Sequence, residues 1–363
     1  MPRLPFLASL LAASAIAARV PLPSGDLVNA SFSGGVVTGI ASSSVAYFLS
    51  VPFGASTDGA NAFAPPAPRA PWSGALNGTT WGAGCLQPHH NADVPPLQSF
   101  DCLRLNVFTP PAALHRASSS PLLPVLVFFN GGAYLEGSDQ GPFGMYSGAS
   151  LVQNGVVVVT VNYRLGAYGW LGGLPALNIT GNFGLQDMVA GLEWVRDEIS
   201  AVGGDPTRVT VFGESAGAMS IGILLTSPRA AGLFHRAIME SNVAGFNYPN
   251  ATHAALYAAS FCGDKALGCV VGGACSAECL RAATPAAVMS AWNTATGSVP
   301  DFILADLGHI LDGLLGTGPI IDGDWVVAEP MSAVESGDYW AKGLPVLLGT
   351  NSGEGEVRSG RRR

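Results

Sequence analysis

One serine is set apart by its neighbours. Gly213-Glu214-Ser215-Ala216-Gly217 forms a G-x-S-x-G between an apolar run over 209–212 and a helix-forming run that begins at Ala216. A serine raised on a sharp strand-to-helix turn needs small residues two positions to either side, because the backbone crowds itself there. The helix behind it presents N–H groups without intrahelical partners and the positive end of its dipole, which favour a developing oxyanion. This arrangement serves nucleophilic acyl transfer, and Ser215 is the predicted nucleophile.

The elements that must position this serine follow from periodicity. Residues 124–129 and 156–161 are short apolar runs that suit buried strands, the second holding four consecutive valines. Leu185, Met188, Val189, Leu192, Val195 and Ile199 form a helical stripe, ended by Gly203-Gly204-Asp205-Pro206. A strand over 209–212 and a helix over 216–225 come next, with later strands expected over 237–239 and 345–348. Strand, helix, strand, helix with short connectors predicts an α/β fold whose parallel sheet is covered by helices on both faces.

Composition excludes several function classes. Of 363 residues, 48% are hydrophobic and 12% charged, which is too apolar for a disordered tail protein. Four of the 17 basic residues (Arg358, Arg361, Arg362 and Arg363) sit in the last six positions, so residues 1–357 carry 13 basic against 25 acidic ones. That balance argues against a nucleic-acid partner. No metal or other cofactor is expected, since the cluster Cys262, Cys269, Cys275 and Cys279 contains no Cys-x-x-Cys pair and no accompanying histidine.

Residues 1–18 have the pattern of a signal peptide: Arg3, an apolar run over 4–18, and Ala15-Ile16-Ala17 as small residues for cleavage. No later run is long enough to span a bilayer. Six cysteines, an even number behind a secretory leader, predict disulfides formed in an oxidising compartment. Sequons at Asn29, Asn77, Asn178 and Asn250 fit the same compartment, so a secreted glycoprotein is expected.

Longer motifs carry a family resemblance. Gly181-Asn182-Phe183-Gly184-Leu185-Gln186-Asp187, Trp194-Val195, Gly203-Gly204-Asp205-Pro206 and the serine motif resemble the type-B carboxylesterases, the cholinesterase and lipase branch of the α/β-hydrolases. Asp101-Cys102-Leu103-Arg104-Leu105-Asn106-Val107, Asn162-Tyr163-Arg164-Leu165-Gly166 and Gly232-Leu233-Phe234 match as well. The resemblance implies an α/β-hydrolase fold over 19–357, with a mostly parallel central sheet flanked by helices. It also implies hydrolysis of a small-molecule or lipid carboxylic ester through an acyl-enzyme.

By position within the family pattern, the N–H groups of Gly132, Ala133 and Ala216 form the oxyanion hole, and Glu354 is the triad acid. Asn130 departs from the family at the head of the oxyanion loop. The family's histidine lies well beyond the acid, in a Gly-x-x-His context. None of His89, His90, His115, His235, His253 and His309 has that context, and the chain stops nine residues after Glu354. The expectation is therefore a C-terminally incomplete domain, followed by a tail over 358–363 that matches nothing in the family. Such a chain is expected to be inactive as it stands. The alternatives are a catalytically dead, cholinesterase-like binding protein and a truncation product without function.

The resemblance also implies a Cys85–Cys102 disulfide, worth about 3 kcal/mol in the chain-entropy model. The other four cysteines allow three connectivities. Cys279-Leu280-Arg281 resembles the family's second half-cystine, which suggests Cys262–Cys279 with Cys269–Cys275 nested inside it. Ala62 and Phe100 stand where the family often carries an Arg and a Glu, so both partners of that pair are replaced.

Overall fold

The computed structural model describes residues 24–88, 95, 97–117, 119–141, 144–242, 247–298 and 318–352. The expected leader, His89, His90, His309, Glu354 and the tail over 358–363 lie outside the described residues.

A ten-stranded sheet organises the chain. In chain order its strands are β1 (Asp26–Phe32), β2 (Gly35–Ala41), β3 (Ala46–Pro52), β4 (Ala75–Asn77), β5 (Arg104–Thr109), β6 (Leu123–Phe129), β7 (Val157–Val161), β8 (Gly204–Glu214) and β9 (Arg236–Glu240). A two-stranded hairpin, β10 (Val270–Val271) and β11 (Ala274–Cys275), stands apart, and β12 (Val346–Gly349) completes the large sheet. The order across the sheet is β1-β2-β3-β5-β7-β6-β8-β9-β12, with β4 on β2. Neighbours from β1 to β7 run antiparallel, and those from β7 to β12 run parallel. The parallel half holds the five strands expected from the apolar runs; the antiparallel strands β1, β2, β3 and β5 were not expected.

Burial explains the parallel half. All five residues of β7 are buried, as a strand covered on both faces requires. Helix Phe183–Glu198 lays Leu185, Met188, Val189, Leu192 and Val195 into the core. It packs so closely that a Cβ on Gly191 would come within 2.7 Å of Val161 Cγ1. Helix Ala216–Thr226 is buried around almost its whole circumference, which makes it a central helix rather than an amphipathic cover. No helix among the described residues is long and apolar enough to cross a membrane.

Arg164 and Asp187 join two of the motifs at the centre of the fold. Arg164 Nε and Nη2 donate to the two Asp187 carboxylate oxygens at 2.7 Å each, and the Arg164 N–H adds a third bond at 3.0 Å. Both side chains are almost fully buried, so removing one partner would leave a charge stranded in the core. At the replaced pair, Ala62 and Phe100 carry no charge, and the Ala62 carbonyl accepts the Arg281 Nε–H at 3.2 Å. Phe63 stacks on Tyr168 with centroids 5.0 Å apart, and Phe100 meets the same ring edge-on at 5.3 Å. An aromatic cluster therefore surrounds Tyr168.

The Cys85–Cys102 disulfide forms, with Cα atoms 4.9 Å apart. The expected pairing of the other four cysteines is corrected: Cys262 bonds Cys275, and Cys269 bonds Cys279. The β10–β11 register supplies the reason. Cys275 lies opposite Val270, so the preceding Cys269 points to the other face of the hairpin and cannot reach Cys275. From that face Cys269 meets helix Ala277–Ala282, whose N-cap Ser276 accepts the Cys279 N–H.

Candidate active site

Ser215 sits between β8 and helix Ala216–Thr226 with φ 52° and ψ −122°, a left-handed conformation that serine avoids unless its surroundings enforce it. Its N–H donates to the Glu240 carbonyl at 3.0 Å, and its carbonyl accepts the Met219 N–H at 2.8 Å, which opens the helix. The flanking glycines have steric causes. A Cβ on Gly213 would lie 2.8 Å from the Phe129 carbonyl oxygen, and one on Gly217 only 2.1 Å from the same atom. The expected glycine requirement is thus contact with the end of β6.

The loop over 130–137, expected to supply the oxyanion donors, emerges from β6 beside this turn. A Cβ on Gly131 would come within 3.1 Å of Ser215 Cβ and 2.9 Å of the Glu214 carbonyl oxygen, so the loop runs directly alongside Ser215. Sequence reasoning had assigned Gly131 no role; the Gly-Gly dipeptide was the available signal. Gly132 has φ 114°, and Ala133 and Tyr134 follow at φ 52° and 63°. Gly132 O accepts the Leu135 and Glu136 N–H groups at 2.9 and 3.1 Å, closing a tight turn. The Tyr163 hydroxyl donates to Asn130 O at 2.8 Å, and the Gly166 N–H donates to Tyr134 O at 2.9 Å, pinning both ends. Burial, chiefly, holds the Tyr163 phenol well above the usual tyrosine range. Asn130, the departure from the family pattern, is buried and turns its Nδ2 onto Gly131 O at 2.8 Å.

The C-terminal edge of the parallel sheet gathers these parts. Glu214 of β8 pairs in register with Glu240 of β9, and Glu240 with Gly349 of β12. The Ser241 N–H then donates to Gly349 O at 2.7 Å. The three strands therefore end level with one another, and the chain leaves β12 at the edge that carries Ser215, the place where open parallel sheets hold their ligands. An apolar cavity of about 350 Å3 adjoins the helix behind the serine, with Met219, Met239, Tyr248 and Leu344 among its walls. No histidine among the described residues is hydrogen-bonded to the Ser215 side chain. His235 lies at the opposite end of the sheet, where its Nδ1 accepts the Val209 N–H at 3.2 Å.

Residues 25–360 match the model of the carboxylesterase family. The chain belongs to that family. It is 36% identical over 328 residues to the para-nitrobenzyl esterase of Bacillus subtilis, an alignment covering 88% of this chain and 62% of that protein. It is 34% identical over 325 residues to human bile salt-activated lipase, covering 88% of this chain and 40% of the lipase. The fumonisin B1 esterase of Sphingopyxis macrogoltabida is 34% identical over 356 residues, covering 96% of this chain and 60% of that protein. Among solved structures, a thermophilic para-nitrobenzyl esterase superposes with a TM-score of 0.76 at 34% identity, over 89% of this chain and 63% of that one. The fold is that of the α/β-hydrolase carboxylesterases, and the chain spans less than two thirds of the length of these relatives.

Proposed function

We propose that this chain is a secreted serine hydrolase of carboxylic esters, with Ser215 as nucleophile. The observation that carries this reading is the Ser215 elbow held against the Gly131–Gly132 turn. In such a site the Ser215 oxygen attacks the ester carbonyl, the alcohol departs, and water releases the acid from the acyl-enzyme. In this reading the N–H groups of Gly132, Ala133 and Ala216 receive the oxyanion, and Glu354 is the triad acid. Small-molecule and lipid esters are both within the class, since the relatives are named for a para-nitrobenzyl ester, a lipid and fumonisin B1.

Secretion is supported by the leader pattern, by three disulfides, and by the exposure of all four sequon asparagines, Asn29, Asn77, Asn178 and Asn250. The 363-residue chain by itself turns over slowly in this reading. No histidine among the described residues is hydrogen-bonded to the Ser215 side chain, and preorganised donors alone give about 10³-fold over water. Hydrolysis of para-nitrophenyl acetate by the purified chain and by Ser215→Ala is the test. A rate above buffer that disappears in the variant supports the reading. Equal rates in the two proteins overturn it and leave a binding role.

A further inference from the structure

Gln87 is a polar side chain in a position that offers almost no solvent, at 3% exposure. Its amide is fully engaged. Nε2 donates to Gly137 O at 2.8 Å and to Cys85 O at 3.0 Å, while Oε1 accepts the Gly137 N–H at 2.9 Å. One side chain thus takes both the donor and the acceptor of a single residue fifty positions away, as a neighbouring strand would. The Gln87 backbone is held in turn by Gln98, whose Oε1 accepts its N–H at 2.9 Å. Gly84 closes the same loop by bonding Leu97 and Ser99 across the Cys85–Cys102 disulfide.

Gly137 is the far end of the oxyanion turn. Its φ is 116°, and a Cβ there would stand 2.2 Å from Asn130 Nδ2 and 2.7 Å from Gly131 O. It is therefore packed on the two residues that lead into Gly132 and lie beside Ser215. The line of contact runs from Gln87 to Gly137, from Gly137 to Asn130 and Gly131, and from Gly131 to the nucleophile.

We propose that Gln87 is a positioning residue for the oxyanion loop, locking the turn over 132–137 to the Cys85–Cys102 loop so that the amides of Gly132 and Ala133 keep their place beside Ser215. Packing alone does not account for it, because an apolar side chain of the same size would leave the Gly137 N–H and C=O without partners. Nor does charge, since a carboxylate keeps the acceptor but turns an anion onto Gly137 O and Cys85 O. Only an amide, or a protonated carboxyl, matches a peptide group with both donor and acceptor.

The consequence for catalysis rests on the ester-hydrolase reading; the lock itself is measurable without it. Amide hydrogen exchange of a peptide covering 131–137 is compared in the wild-type chain, Gln87→Ala and Gln87→Glu, at about pH 5 and about pH 8. In Gln87→Ala the exchange rises about tenfold over wild type at both pH values, while peptides from β6 and β8 stay unchanged. In Gln87→Glu it rises at the higher pH and returns towards wild type at the lower one, where the buried carboxyl is protonated and donates to a carbonyl again. Where hydrolysis is detected, Gln87→Ala lowers kcat by at least about tenfold with KM held, and Gln87→Glu recovers as the pH falls. Exchange over 131–137 within about twofold of wild type in Gln87→Ala overturns the proposal. So does an equal rise in every peptide, or a Gln87→Glu variant that behaves alike at both pH values. Loss of the ester-hydrolase reading through Ser215→Ala leaves the exchange experiment able to decide on its own.

Discussion

The N–H of Ser215 donates to the carbonyl of Glu240 at 3.0 Å, so Ser215 is tied to the neighbouring strand by its backbone rather than its side chain. That bond, the Met219 N–H on the Ser215 carbonyl and the packing of Gly217 on Phe129 hold one residue at φ 52° against its intrinsic preference. The strain is offset by contacts on all sides, which is how such conformations persist at sites.

Ser215→Gly therefore separates stability from chemistry. Glycine adopts positive φ without a Cβ penalty, so the variant gains about 1 kcal/mol, and it loses all reaction with a fluorophosphonate probe. Urea midpoints and labelling on the same samples check both halves. A destabilised variant would mean that the serine side chain holds the elbow together.

Two glycines of one helix give opposite outcomes. Gly217→Ala drives a methyl to 2.1 Å from the Phe129 carbonyl, and neither backbone segment can yield without opening the sheet. The loss is about 3 kcal/mol or more, with little folded protein recovered. At Gly222 a Cβ meets only Asn242 Nδ2 at 3.3 Å and Met239 Sδ at 4.0 Å, both ends of flexible side chains. Gly222→Ala is expected to be neutral or to gain up to about 1 kcal/mol from helix propensity. Denaturant midpoints for the two variants decide it.

The same residues show what a sequence can reveal. The elbow was legible because its glycines, its serine and the flanking apolar runs form one contiguous pattern. The parallel strands were legible because burial on both faces leaves continuous apolar residues. Strand β8 begins at Gly204, well before the expected residue 209, because Pro206 falls where the β6–β8 register shifts between Leu123 and Val125. A proline at such an irregularity looks in sequence like a terminator. Gln87 left no trace in periodicity, since its partner Gly137 is remote and its meaning lies in two backbone atoms.

The interleaved disulfides make a direct chemical prediction. Replacing Cys262 by serine frees its partner, and the partner named by the hairpin register is Cys275. Maleimide labelling of the folded Cys262→Ser chain near neutral pH, followed by an acid quench, should label Cys275 and leave Cys279 bonded to Cys269. Label on Cys279 would restore the nested pairing. The variant loses about 2–4 kcal/mol through the missing cross-link.

Asp139 gives the fold a pH dependence of its own. The carboxyl is buried two residues past the turn over 132–137, and the Asp139 N–H donates to Asn162 Oδ1 at 2.8 Å. Burial, chiefly, pushes its pKa well above the usual carboxylate range, against the opposing pull of an Asn106 hydrogen bond and the Arg104 charge. Arg104 is already committed to Asp101 at 2.5 Å, which limits what it gives to Asp139. In the unfolded chain the group titrates near its ordinary value of about 3.9. Between that value and the raised one, the native state holds a proton that the unfolded state has lost. Stability from this group is therefore fully present below about pH 3.9 and declines as pH rises through the window, by at most about 1.4 kcal/mol per pH unit. Asp139→Asn removes a titrating group while keeping its size, so as the pH rises above about 4 the variant's urea midpoint should fall less steeply than the wild type's. Parallel curves for the two proteins would mean that Asp139 ionises in the folded state as it does in water.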